Sequence, residues 1–226
     1  MNGVLRARGT LLAGSMILGP VCILLGHLLN VDSSEAPAQY IRDVSAHHTT
    51  FVVGSVVLSA GAFLLISAMI GAMRLAQGRG GPLVTVGAVL TFVSAAALGA
   101  GTLMLGVVMG MLTPGHAALA VQVARVGNGS GLGSLPFILA PGIVIGPLLV
   151  AVGLYRARLA RRWPAILLGL AVIPVYLSPS SGALGAALHL PLCVAIAALS
   201  LEVWRTSHDH ARESRVPDPQ ARLAQA

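Results

Sequence analysis

His27, His47, His48, His116 and His189, with Asp32, Glu35 and Asp43, are the residues of this sequence best able to do chemistry. An imidazole exchanges protons near neutral pH, ligates a metal or haem, or recognises a polar group on a ligand. A carboxylic acid held neutral in a dry pocket can protonate an olefin or epoxide without a metal. The sequence contains no HExxH, CxxC or GxSxG, and no paired aspartates of the kind that hold a diphosphate-bound magnesium. No metal site and no cofactor is therefore expected. Glu35, Asp43 and Asp32 are the candidate acids, with His27, His48 and His189 as their orienting or proton-accepting partners. Tyr40, Phe51, His47, His116, Phe137 and Tyr176 are the candidates for contacting substrate. Aromatic residues make up only 4 % of the chain, so few rings are on hand to shield a carbocation.

The elements that must position these residues follow from composition. The chain has 226 residues, 56 % of them hydrophobic and only 9 % charged. Soluble domains carry roughly 25 % charged residues, and the mean hydropathy here is +0.86. This excludes a soluble enzyme and points to an all-α polytopic transmembrane helical bundle. Its expected partners are the lipid bilayer and an apolar or amphiphilic small molecule. The net charge of +7 is carried by arginine alone, for the chain has no lysine. Those arginines lie between apolar runs without interleaved aromatics, which excludes nucleic acid as a partner.

A helix needs roughly 20 apolar residues to cross a hydrocarbon core of about 30 Å. Six runs meet or approach that length: 10–30, 47–73, 82–112, 135–155, 163–178 and 182–204. Arg6, Arg8, Arg74, Arg79, Arg156, Arg158, Arg161, Arg162, Arg205, Arg212, Arg215 and Arg222 fall at one set of ends. Only Arg42 and Arg125 fall at the other. The positive-inside rule then puts both termini in the cytoplasm of a bacterial inner membrane, and the histidine–carboxylate group outside. Ala36-Pro37-Ala38 has the look of a signal cleavage site. The apolar run before it exceeds the roughly 7–15 residues of a signal core, so it is read as a true span.

Smaller features fill in this frame. Thr113 as N-cap, Pro114 at the first helical position and Gly127-Asn128-Gly129 as a stop predict a short external interfacial helix between the third and fourth spans. Gln122 and Arg125 would face water there. Residues 128–134 read as a glycine-rich flap. Pro136, Pro141 and Pro147 predict a kinked fourth span able to line a cavity. Gly106/Gly110, Gly142/Gly146 and Ser67/Gly71 have the spacing that lets helices approach closely in lipid. Cys22 and Cys193 fall at similar depth in the first and last spans and imply no disulfide framework. Residues 1–205 form the transmembrane domain, and 206–226 read as a polar, disordered tail.

An external histidine-bearing segment, the turn Arg74-Leu75-Ala76-Gln77-Gly78-Arg79-Gly80 and a Gly/Ala-rich third span follow one another. In this the chain resembles a broad group of small actinobacterial polytopic membrane proteins. In size, span count and the placement of acids and histidines it is similar to bacterial membrane-bound terpene cyclases. That likeness implies a metal-independent cyclase or isomerase acting on a lipid-like or isoprenoid substrate by acid–base chemistry. On that reading His27, His189 and at least one of Asp32, Glu35 and Asp43 converge on one cavity. Two other readings stand beside it. Three spans followed by three would have the inverted topology of many transporters, although the halves show no visible repeat. Two histidines facing each other across helices would ligate haem or a metal.

Overall fold

The computed structural model describes residues 2–31, 37–76, 78–113, 115–129, 131–157, 161–177 and 182–213. Among these residues every regular element is helical and no strand occurs. The helices are α1 (Asn2–Leu29), α2 (Pro37–Ala46), α3 (His48–Leu75), α4 (Gly81–Leu112), α5 (Ala117–Gly129), α6 (Gly131–Arg156), α7 (Trp163–Leu177) and α8 (Gly182–Glu213). Four helical stretches are long and apolar enough to cross a membrane: Gly9–Leu29, His48–Leu75, Gly81–Leu112 and Gly182–Asp209. Shorter apolar stretches, Pro141–Arg156 and Trp163–Val175, lie in α6 and α7. Large apolar side chains such as Leu11, Met104, Met111 and Leu184 are exposed, as expected where the surrounding solvent is lipid.

Six helices close a ring in the order α1, α3, α4, α6, α7, α8, with α8 returning to α1 and also touching α3. Small residues hold the neighbours together, because apolar burial alone gives little drive for association in lipid. A Cβ on Gly87 of α4 would stand 2.5 Å from the Gly146 carbonyl of α6, so only glycine admits that contact. The expected Gly142/Gly146 pair therefore lies on a real helix interface, with Ser94 and Thr91 opposite it. Gly106 and Gly110 meet Ser55 and Val52 of α3, and Gly71 meets Met16 of α1. The α3–α4 connection turns at Gly78, whose φ of 68° is a left-handed conformation that favours glycine.

Among the described residues, buried apolar side chains form two clusters. Met16, Met69, Val84, Val150, Leu154, Leu168, Leu199 and Val203 form the main cluster. The helix ends beyond that cluster carry Arg74, Arg156, Arg161, Arg162 and Arg205. A smaller cluster of Ile41, Val44, Phe51, Met109 and Ala120 lies at the arginine-poor end. It joins α2 and α5 to the start of α3 and the finish of α4.

Four local expectations change. The polar segment after α1 contains a helix, α2, whose Ile41 and Val44 are buried at helical spacing. Thr113 does not cap α5. Its φ of −61° and ψ of −37° continue α4, and its hydroxyl donates back to the Met109 carbonyl at 2.9 Å. An N-cap needs an extended backbone that Thr113 does not adopt. Residues 127–129 and 131–134 belong to α5 and α6, so the flap is helix on both sides of residue 130, which lies outside the described residues. Lastly, α8 runs about two turns past Thr206 to Glu213. The Trp204–His208 ring contact and the Ser207–Val203 hydrogen bond accompany that extension. The remainder of the expected tail lies outside the described residues.

Candidate functional site

His27 lies in the last turn of α1 and His189 in the second turn of α8. Because α1 and α8 are ring neighbours, the two imidazoles meet face to face, centroids 4.2 Å apart and planes 29° from parallel. The Gly185 carbonyl lies 2.7 Å from His189 Nδ1. A carbonyl only accepts, so Nδ1 carries the proton and Nε2 of the neutral ring is left as an acceptor. His27 Nδ1 is buried and has no hydrogen-bond partner among the described residues. Leaving a buried polar atom unmatched costs about 1–3 kcal/mol, and such atoms in native proteins call for a functional or ligand-based explanation.

The seam that brings these rings together is polar at regular intervals. Cys193 Sγ, one turn beyond His189, donates to the Pro20 carbonyl at 3.6 Å. Ser200 Oγ donates to the Ala13 carbonyl at 2.7 Å. Pro20 and Pro191 interrupt the backbone hydrogen bonding of α1 and α8. Sequence reasoning placed Cys22 and Cys193 at similar depth but missed the serine and the proline carbonyl as partners. Ala13, Pro20 and His27 recur at heptad spacing, and that was the available signal.

A second group of candidates forms the α2–α5 cap. Gln39 Nε2 donates to both oxygens of Asp43, at 3.1 and 3.2 Å, and Gln39 Oε1 accepts from Arg42. The Asp43 carbonyl lies 3.2 Å from His47 Nδ1. His48 Nε2 donates to the Gly110 carbonyl of α4 at 2.6 Å, pinning the start of α3 to the end of α4. Tyr40 meets the edge of Phe51 with centroids 6.1 Å apart. Burial pushes the Tyr40 phenol up to about 12 from its ordinary 10. His116 and His47 are exposed.

The structure thus brings His27 and His189 together and holds Asp43, His48, Tyr40 and Phe51 in the cap. Asp43 is engaged by its own helix, and Tyr40 and Phe51 pack on each other. Asp32 and Glu35 lie outside the described residues. Phe137 and Tyr176 fall on α6 and α7, with their side chains outside the described set.

What this arrangement can do is transfer a proton. Among the described residues no three His, Cys, Asp or Glu side chains are grouped to hold a metal ion. A metal sits about 2 Å from each ligating nitrogen, in the plane of the ring. Rings stacked face to face do not aim their nitrogens at a common point between them, so the pair as it stands is not a haem sandwich. No protein-family model, no curated protein and no solved structure matches this chain.

Proposed function

We propose that this is a membrane-embedded acid–base enzyme of cyclase or isomerase type, acting on a lipid-like or isoprenoid substrate. His27 and His189 are its proton-exchanging pair, and Asp32 or Glu35, in the segment that follows α1 directly, is its acid. The observation that carries this reading is the stacked pair with its buried His27 Nδ1, which has no partner among the described residues. Ionisable groups inside a membrane bundle are costly to keep and mark proton chemistry or ligand sites. Two positive charges about 4 Å apart would repel by about 4 kcal/mol at an effective dielectric of 20, so the pair exchanges one proton rather than two.

The accompanying topology has six spans, both termini in the cytoplasm and α5 at the outer face of a bacterial inner membrane. Its support is the arginine asymmetry and the grouping of the arginine-bearing helix ends beyond the main core cluster.

The enzyme reading is tested by solvent isotope incorporation. The full chain, reconstituted in bilayers, is incubated in heavy water with a polyprenol and with a polyprenyl epoxide, and the lipids are weighed by mass spectrometry. Deuterium incorporation or cyclisation, lost in Glu35→Gln or Asp32→Asn and in His27→Gln, is the expected result. Unlabelled, unchanged lipids sink it. A second reading, a proton-coupled transporter, also fits an ionisable pair inside a membrane bundle. Uptake driven by a pH gradient, with the solute chemically unchanged, would establish that alternative.

A further inference from the structure

At the opposite, arginine-rich end, α7 begins beside the passing flank of α8. Trp163, Pro164, Ala198 and Leu201 make an apolar wall there, and Arg161, Glu202 and Arg205 make its mouth. Glu202 is largely buried, with a side chain 14 % exposed, while the two arginine side chains are 58 % and 45 % exposed. Its carboxylate sits 3.9 Å from Arg161 Nε and 3.4 Å from Arg205 Nη1. A guanidinium has five N–H donors in a planar fork. The acid therefore orients both forks and leaves donors on each directed elsewhere. These three residues carry an excess of one positive charge. Arg162 adds another, its guanidinium 5.2 Å from the centroid of the Tyr155 ring.

The stagger of two helix ends supplies the recess. α7 begins at Trp163, with Arg161 and Arg162 just outside it. The neighbouring α8 has 32 residues and continues past the start of α7. A step results, with exposed Trp163 and Leu201 on its apolar side and the arginines above them. Tryptophans favour the level of lipid headgroups.

We propose that this cleft is a binding site for the headgroup of an anionic phospholipid, the phosphate held by Arg161 and Arg205 and the upper acyl chain laid on Trp163 and Leu201. Arginine forks match phosphate oxygens in a bidentate way, and basic pockets between helices at a membrane surface take acidic headgroups. The apolar wall is what selects a lipid over a free phosphate ion. Glu202 is a positioning residue that also keeps the site from holding anions too tightly.

The chain contains its own reporter. Its two tryptophans are Trp163 and Trp204, and both lie at this end of the bundle. The full chain is reconstituted in phosphatidylcholine bilayers carrying a minor share of brominated phosphatidylglycerol, and then with the bromine on phosphatidylcholine instead. Tryptophan fluorescence should be quenched by the anionic lipid beyond its share of the bilayer. Apparent association should weaken on the order of fivefold for each arginine removed. Arg161→Gln with Arg205→Gln should abolish the preference, whereas Arg42→Gln at the other end should leave it intact. Glu202→Gln, which keeps the shape and removes the competing negative charge, should keep or raise it. Equal quenching by the two lipids overturns the proposal. So does a preference that survives the double arginine change, or one erased by added inorganic phosphate, which would make the site a plain anion site.

Discussion

Ser200 of α8 donates a 2.7 Å hydrogen bond to the carbonyl of Ala13 in α1, and both residues are buried. This bond fixes the register of the two helices. From it the antiparallel pairing runs to Cys193 at Pro20 and then to His189 at His27. Hydrogen bonds between helices in a membrane are worth about 0.6–2 kcal/mol. Ser200→Ala should therefore destabilise the bundle by about 1 kcal/mol, measured by denaturant unfolding in detergent. A change within error would mean the register is held by packing alone.

The backbone approach of α4 to α6 at Gly87 predicts a steeper effect. Gly87→Leu places side-chain atoms where the Gly146 carbonyl already stands, and should cost at least about 1–3 kcal/mol or prevent assembly. Gly14→Leu is the matched control, since a Cβ there meets nothing within 4 Å. Equal thermal stability of the two variants would contradict the α4–α6 packing.

On the proposed function, His27→Gln and His189→Gln should each remove turnover. The double variant should lose little more than either single one, because residues that act as a unit are not additive. Multiplicative losses would show that the two rings act independently. Circular dichroism of each variant separates loss of chemistry from loss of fold.

Tyr40 gives a pH prediction with a definite sign. Its folded value lies above its ordinary one, so the unfolded chain loses the phenol proton first as pH rises. The contribution of Tyr40 to stability is fully present below about 10 and is lost between about 10 and about 12. Phenolate absorbance should show a late step near 12 that Tyr40→Phe removes. That variant should also be less sensitive to alkaline unfolding. An ordinary titration of all three tyrosines would place Tyr40 in water.

Helical class and most helix positions were legible in the sequence because lipid demands long apolar runs, and charge sorting marked their ends. The α2 helix was not, since its apolar positions Tyr40, Ile41 and Val44 are few and sit among Gln39, Arg42 and Asp43. Thr113-Pro114 looked like a helix start because cap chemistry is local, whereas the continuing α4 backbone decided its role. For the site, side-chain types singled out His27 and His189, but only packing could show that they stack. Asp43 was equally plausible by type. Gln39, one turn earlier on the same helix, engages it instead.

The histidine pair is divided between α1 and α8, at opposite ends of the described sequence. Ribosomes deliver N-terminal segments first, so α1 reaches the membrane with one half of the pair and no partner. Every intervening helix must be synthesised before Ser200, Cys193 and His189 can dock on it. A chain arrested short of α8 presents an unstacked imidazole on an uncovered flank of α1. The stacked pair thus exists only once biosynthesis has delivered the closing helix.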